Sequence, residues 1–133
     1  MFDLSTDPEC ARLILDFAKH ARVVSAVCHG PAALCHPDLK SYLDGANVTG
    51  FSNSEETAVG LADAVPFSLE DRLKEHGAKY SKGEDWKEHV VVAKSGLLIT
   101  GQNPASAAGV ARKVRDAVFG ELTDNPEPGA TNW

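Results

Sequence analysis

Apolar residues recur at helical spacing near the start of the chain. Asp7, Pro8 and Glu9 have the form of a helix start, with an N-cap, a proline at the first helical position and an early acid. One apolar face follows, made by Leu13, Ile14, Phe17, Ala18 and Ala21. The pattern predicts an amphipathic helix that begins at Pro8.

The next apolar run, residues 23–27, is short and almost continuous. A run of this kind is typical of a strand that is covered on both faces, as in a parallel sheet. Gly30 and Pro31 then predict the start of a short helix, which Pro37 ends.

Segments with strand and helix patterns alternate in the rest of the chain. The predicted strands are 47–51, 78–81 and a β-hairpin of 90–93 and 97–100 around Lys94-Ser95-Gly96. The predicted helices are 53–63, 66–76 and a last helix after Asn103-Pro104, with Val110, Val114 and Val118 on one face. This order of elements indicates an α/β fold with a mainly parallel sheet.

A single predicted helix precedes the strand at 23–27. A central strand of a parallel sheet has a neighbour on each side, and no earlier strand of this chain could fill one of those places. We therefore expect one edge of this strand to be open. The chain is expected to begin within its domain, so that N-terminal strands are missing or another chain covers the edge.

Composition and charge narrow the class of protein. The chain has 133 residues, of which 43% are hydrophobic and 24% charged, which suits one soluble domain. We expect this domain at 1–120 and a polar, proline-rich tail at 121–133. The net charge of −6, without any block of Lys or Arg, argues against a nucleic-acid-binding protein. The apolar runs are too short for a membrane span.

The cysteines and the N-terminus indicate a compartment. An odd count of three, Cys10, Cys28 and Cys35, does not make a disulfide framework. The N-terminal sequence MFDLSTDPEC has no basic start followed by an apolar core, so it is not a secretory signal. Both features predict a cytoplasmic protein.

Cys28 and His29 stand where the apolar run ends and Gly30 begins a helix. A strand followed at once by a helix holds the residue between them on a tight turn, and small residues such as Ala26 and Gly30 leave room for it. A helix N-terminus favours the thiolate over the thiol, and the backbone N–H of His29 is placed to bind an oxyanion. The pattern predicts Cys28 as a nucleophile and His29 as its acid/base partner.

Two other interpretations of these residues stay open. Free cysteine is often a buried structural residue. The Cys-His pair also occurs twice, at Cys28-His29 and Cys35-His36, although zinc ligands prefer closer spacings and Cys35-His36 has a simpler explanation as the end of a helix before Pro37. We expect no metal site.

Four segments, AVCHGPAAL, VTGFSNSEE, DAVPFSLEDRLKEHGAKY and LLITGQNPASA, resemble the ThiJ/PfpI superfamily. The likeness is to its glyoxalase III branch, whose members are also described as D-lactate dehydratases, heat-shock chaperones or type 1 glutamine amidotransferase-like proteins. The resemblance runs from about Met1 to the last helix. It implies a flavodoxin-like three-layer sandwich with a mainly parallel sheet, N-terminally incomplete in this chain, and a homodimer.

The resemblance also implies a catalytic triad. It assigns the nucleophile to Cys28, its partner to His29 and the third member to Glu56. The elbow with its oxyanion site, at His29 and Gly30, comes from the local pattern of residues. Asn53-x-x-Glu56 is at the same time a capping-box pattern, in which Glu56 merely closes a helix start. The pattern Ser52-x-x-Glu55 would do the same one residue earlier, and the sequence leaves these alternatives open.

The loop after the last predicted strand departs from true class I amidotransferases. Those enzymes carry a catalytic His-Pro-Glu near the C-terminus, whereas this chain reads Gln102-Asn103-Pro104-Ala105, which argues against glutamine hydrolysis. Asn103 and Ser106 are candidates for the wall of the pocket. Capping of the last helix is their simpler role.

The activity implied by the resemblance is a cofactor-independent conversion of methylglyoxal, a small 2-oxoaldehyde, to D-lactate. It needs neither metal nor glutathione. The alternatives are a holdase-type chaperone with unfolded-protein clients, a redox-sensing stress protein that acts through oxidation of Cys28, and an inactive truncated homologue.

Overall fold

Short strands and helices alternate along the chain. The structure is a computed structural model, and it describes residues 1–120. Its helices are α1 (Pro8–Lys19), α2 (Lys40–Leu43), α3 (Asn53–Val59), α4 (Leu69–Glu75) and α5 (Ala107–Phe119). Its strands are β1 (Val24–Val27), β2 (Asn47–Val48), β3 (Lys79–Tyr80), β4 (Val90–Ala93) and β5 (Leu98–Gly101). Short 3-10 turns join them at Gly30–Cys35, Pro37–Leu39, Lys94–Gly96 and Pro104–Ser106. Within these residues no helix is long and apolar enough to cross a membrane.

The sheet is rich in parallel pairs, as predicted. Strands β1, β5 and β4 form one sheet in that order, and β1 runs parallel to β5 with Val24 opposite Leu98. Strands β2 and β3 form a second parallel pair. The predicted hairpin is confirmed, because β4 and β5 are antiparallel with Val90 opposite Gly101. The α/β class and the flavodoxin-like architecture are therefore those expected from the sequence.

Strand β1 matches one prediction, about its edge, and contradicts another, about its faces. In the described part of the chain, β5 is the one strand that pairs with β1, so its other edge is open as expected. The prediction that both faces of this strand are covered is wrong, because Ser25 is exposed and the other three residues are half-buried. The apolar composition of the run reflects this short strand's place between α1 and α5 rather than full burial.

Two predicted helices are shorter in the structure. The helix predicted at 53–63 ends at Val59, because Gly60 adopts a left-handed conformation with φ of 72° and stops it. The helix predicted at 66–76 begins at Leu69, because the Ser68 side chain accepts a hydrogen bond from Asp71 N and forms the N-cap. Local capping residues therefore override the apolar periodicity at the end of α3 and at the start of α4.

One hydrophobic core fixes these elements. Its buried members are Ala32, Leu34, Cys35, Leu43, Ala46, Val48, Phe51, Leu69, Leu73, Ala78 and Leu98. They come from the 3-10 turn after β1, from α2, β2, α4 and β5, and from the loop positions 46, 51 and 78. The end of β1 and the start of α3, which bracket the candidate site, are consequently anchored to the same packed interior.

Gly101, at the end of β5, packs closely against the start of α5. A Cβ placed there would lie 2.7 Å from Val110 Cγ2 and 2.8 Å from Ser106 Cβ, both on or beside α5. We expect Gly101→Ala to reduce the free energy of unfolding by about 1–3 kcal/mol through overpacking. Gly30→Ala is the matched control, because its Cβ would meet Ala26 Cβ at an ordinary 3.4 Å. Urea denaturation measures both, and an equal effect of the two substitutions would contradict the packing argument.

Candidate active site

Cys28 lies on a strained turn directly after β1. Its φ is 62°, in the left-handed region that a residue with a side chain rarely adopts. Its N–H donates to Gly101 O at 2.9 Å, and its carbonyl accepts from Phe51 N at 2.9 Å. These bonds on both sides hold a conformation that costs about 1–3 kcal/mol. The half-buried thiol is thereby presented at the carboxyl end of β1.

The predicted elbow is present in the backbone. His29 is the N-terminal flanking residue of the 3-10 turn Gly30–Cys35, and Gly30 packs close to Ala26. The short helix predicted after the cysteine is present as this six-residue 3-10 segment. The small side chains at positions 26 and 30 let the chain reverse within two residues of Cys28.

His29 bridges the thiol and a carboxylate. Its Nδ1 lies 3.4 Å from Cys28 Sγ, and its Nε2 lies 2.6 Å from Glu56 Oε2. The Glu56 carboxylate is almost buried, and its Oε1 has no hydrogen-bond partner within residues 1–120. A carboxylate that accepts from Nε2–H leaves Nδ1 as the free acceptor of a neutral imidazole, facing the thiol. The arrangement can move a proton from sulfur to nitrogen.

The start of α3 decides between the two glutamates. Ser52 is the N-cap: its side chain accepts from Glu55 N, and Ser52 N donates to Glu55 Oε2 at 3.1 Å. Glu55 therefore forms the capping box, one residue earlier than the alternative that uses Asn53. Glu56 follows it in the first turn of the helix and is free to bond His29.

Glu55 is fully buried and ionised within a set of hydrogen bonds. Its Oε2 accepts from Ser52 Oγ at 2.7 Å, and its Oε1 accepts from Trp86 N at 2.9 Å and Asn103 Nδ2 at 2.7 Å. Burial opposes ionisation, but the bonds from Trp86, Asn103 and Ser52 outweigh it and lower the pKa of Glu55 below its ordinary value. This carboxylate stays charged at neutral pH.

Asn103 and Ser106 connect backbone segments that lie next to the site. Both are fully buried. Asn103 Nδ2 donates to Lys87 O at 2.9 Å as well as to Glu55, while Ser106 Oγ accepts from His89 N at 3.1 Å. Their side chains thus tie the loop before β4 to the start of the last helical segment.

An aromatic wall beside His29 was not found from the sequence. The Phe51 ring lies 4.4 Å from the His29 ring, and Trp86 meets Phe51 edge-on at 5.7 Å. Trp86 is 46% exposed and has a φ of 64°. It lies in the irregular segment between β3 and β4, where no periodic pattern points to a role.

The expected thiolate is not favoured at Cys28. Burial raises the pKa of the Cys28 thiol; the backbone N–H of His29 lowers it, while the charges of Glu55 and Glu56 raise it again. The prediction of a lowered pKa is therefore wrong in this structure. The short 3-10 turn after Cys28 offers one hydrogen bond to sulfur, and this bond does not offset desolvation and two neighbouring carboxylates.

The repeated Cys-His pairs do not converge. Cys35 is buried in the core, its Sγ lies 3.8 Å from Pro31 O, and burial raises its pKa to about 12. His36 caps the next 3-10 turn by accepting from Asp38 N. In the part of the chain that the structure describes, no group of three or more His, Cys, Asp or Glu could hold a metal ion.

A small cavity adjoins the site at Glu56. It has a volume of about 160 Å³, and its walls include Phe51, Asn53, Glu56, Leu69 and Asp71. The carboxylate that bonds His29 is therefore also part of a concave, partly polar surface large enough for a molecule of a few heavy atoms.

Comparisons with known proteins identify the family of the chain. No family model matches the chain. The chain is 32% identical over 127 residues to the glutathione-independent glyoxalase HSP31 of Saccharomyces cerevisiae, covering 89% of this chain and 53% of that protein. The crystal structure of glyoxalase III from Candida albicans superposes with a TM-score of 0.77 at 30% identity, over 87% of this chain and 52% of that one. The chain belongs to the glyoxalase III branch of the ThiJ/PfpI superfamily.

A further solved structure supports the fold. The Rapid Encystment Protein of 24 kDa from Francisella tularensis superposes with a TM-score of 0.82 at 40% identity, over 89% of this chain and 53% of that one. The chain thus spans about half the length of the glyoxalase III homologues it matches. The superfamily and branch that the four sequence segments indicate are confirmed.

The raised pKa of Cys28 predicts its reactivity. At about pH 8 a smaller fraction of the folded thiol is ionised than of an ordinary cysteine, so iodoacetamide should modify Cys28 more slowly in the folded than in the urea-unfolded chain. The rate should keep rising as the pH passes the ordinary thiol pKa. Cys35, with a pKa of about 12, should stay unmodified. Peptide mass spectrometry assigns each site, and a Cys28 rate already at its plateau below about pH 7 would contradict the raised pKa.

Proposed function

We propose that this chain carries the reactive groups of a glutathione-independent glyoxalase that converts methylglyoxal, a 2-oxoaldehyde, to D-lactate. The observation that carries the proposal is the position of His29 between Cys28 Sγ, at 3.4 Å, and Glu56 Oε2, at 2.6 Å. A nucleophile, a base and a carboxylate that orients the base form the arrangement that activates a thiol. The names of the homologues agree with this chemistry.

The first step is addition of sulfur to the aldehyde. Because the Cys28 thiol is protonated at neutral pH, His29 Nδ1 accepts its proton as the C–S bond forms and the carbonyl oxygen takes the electron pair. Glu56 holds the other ring nitrogen and stabilises the imidazolium. The backbone N–H groups of His29 and Gly30, at the start of the 3-10 turn, are the proposed donors to the developing oxyanion.

The second step moves a proton between two carbons. His29 first gives the thiol proton to the oxyanion, which completes the hemithioacetal and leaves the imidazole neutral. The imidazole then takes the proton of the former aldehyde carbon, which yields an enediolate, and returns it to the adjacent carbon, while the hydroxyl proton of the former aldehyde carbon moves to the neighbouring oxygen. The product is a thioester of lactate on Cys28. Water then cleaves the C–S bond, releases lactate and restores the thiol. The overall reaction adds one water to methylglyoxal and consumes no oxidant or reductant.

Substitution of the two reactive ends tests the proposal. We expect Cys28→Ala to abolish methylglyoxal consumption and lactate formation, and Glu56→Gln to lower kcat by about a hundredfold or more, because an amide does not stabilise the imidazolium. Cys10→Ser, on α1, is the matched control and should keep the parent rate. Full turnover by the Cys28→Ala variant, or none by the parent chain, would rule out this function.

A second candidate function is the binding of unfolded polypeptides. Large apolar side chains are exposed on the surface, with Phe119 at 79%, Phe2 at 65% and Leu13 at 54%. Leu13 also lines a cleft with Phe17 and Val24, beside the open edge of β1. Exposed apolar surface of this kind is suited to hydrophobic segments of other chains.

The two functions separate in one experiment. If the apolar surface binds unfolded chains, Cys28→Ala should suppress aggregation of heat-denatured citrate synthase as well as the parent does, whereas Leu13→Lys together with Phe119→Lys should suppress it less. Light scattering follows the aggregation. Unchanged suppression by the double variant, or none by the parent, would count against a holdase.

A further inference from the structure

One buried carboxylate joins three separate segments of the chain. Glu55 bonds Ser52 at the start of α3, the backbone of Trp86 in the loop between β3 and β4, and Asn103 after β5. It is 0% exposed. A fully buried charge of this kind is tolerated where hydrogen bonds replace its hydration, so each of these partners is under strong restraint.

The first segment carries the carboxylate of the proposed triad. Glu56 directly follows Glu55 in α3, and its Oε2 bonds His29 at 2.6 Å. The capping box between Ser52 and Glu55 fixes the register and direction of the first helical turn. The direction of the Glu56 side chain toward His29 therefore depends on Glu55.

The second segment carries the aromatic wall. The Trp86 N–H donates to Glu55 Oε1 at 2.9 Å, and this bond holds the residue at a φ of 64°. The Trp86 ring meets Phe51 edge-on, and Phe51 lies 4.4 Å from His29. The half-exposed indole is consequently held at a fixed distance from the imidazole.

The third segment locks the loop from behind. Asn103 Nδ2 donates both to Glu55 Oε1 at 2.7 Å and to Lys87 O at 2.9 Å. Gly83, in the same loop as Trp86, donates its N–H to Oε1 of Gln102, the residue before Asn103, at 2.8 Å. Loss of the Asn103 amide would release the Trp86 side of the network and leave the capping box intact.

We propose that Glu55 is a positioning residue of the site: through its capping box with Ser52 it holds Glu56, and through Asn103 and the Trp86 backbone it holds the aromatic wall of Phe51 and Trp86, in fixed places around His29. The inference rests on the proposed function for its effect on turnover. Glu55 does not touch the reacting atoms in this proposal. Its effect is exerted through the helix that carries Glu56 and through the loop that carries Trp86.

Two variants loosen the network from opposite ends. Glu55→Gln keeps the shape of the side chain, but both of its oxygens accept from donors, so the new NH₂ must face at least one donor. Asn103→Ser removes the bridge to Lys87 and Glu55. Glu84→Gln is the matched control, because it makes the same chemical change on an exposed side chain of the Trp86 loop.

Turnover and fluorescence are measured together. In a Trp133→Phe background Trp86 is the one tryptophan, so acrylamide quenching reports its freedom. Both variants should show stronger quenching than the control, and kcat for methylglyoxal should fall by up to about a hundredfold, the cost of a small misplacement of catalytic groups. The KM should change much less than kcat.

The outcomes separate the two proposals. If the parent turns over no methylglyoxal, the proposed function fails, but stronger quenching together with an altered NMR titration of the His29 ring in the variants still supports positioning. Folded variants, by circular dichroism, with unchanged quenching and an unchanged His29 titration overturn it. Should neither variant fold, hydrogen exchange of the Trp86 amide in the parent decides: rapid exchange overturns the proposal, and strong protection supports it.

Discussion

The charge of Glu55, sealed from solvent, is the constraint on which the site depends. Burying a carboxylate is costly unless donors replace water, and here backbone and side-chain donors from three segments surround it. The carboxylate stays ionised in the interior as long as those donors keep their hydrogen bonds to it. The direction of α3, the course of the loop that contains Trp86 and the position of Asn103 are thus determined together rather than separately.

Adjacent glutamates take different roles because of this constraint. Glu55 is turned inward by the capping box and is satisfied on both oxygens, whereas Glu56 has one bonded oxygen and that bond goes to His29. The imidazole in turn reaches Cys28, whose unusual φ is held by bonds to Gly101 and Phe51. A helix cap, a strand end and a strained turn therefore combine to align three titratable groups.

Local signals in the sequence predicted the parts of this structure that depend on neighbouring residues. The helix that begins at Pro8, the hairpin of β4 and β5 and the elbow at Cys28 follow from caps, turn residues and apolar runs. The bond between Asn103 and Glu55 joins residues 48 apart, and no periodicity indicates it. The place of Glu56 likewise depends on a tertiary contact, its bond to His29, 27 residues away.

The prediction of a thiolate failed for the same reason. A helix start beside a cysteine is visible in the sequence, but the burial of Cys28 and the approach of Glu55 and Glu56 are not.

In the proposed mechanism a protonated Cys28 requires His29 to accept its proton, a step that a thiolate would not need. In the proposed reaction the proton of Cys28 leaves as sulfur adds to a carbonyl, and His29 Nδ1 at 3.4 Å is the acceptor that the geometry offers. The carboxylates that raise the thiol pKa include the one that would stabilise the resulting imidazolium, so the same charge disfavours a free thiolate and favours the proton-transferred pair. In the proposed mechanism the ion pair forms as the substrate is attacked, and the raised pKa makes the resting thiol less reactive towards alkylating and oxidising agents.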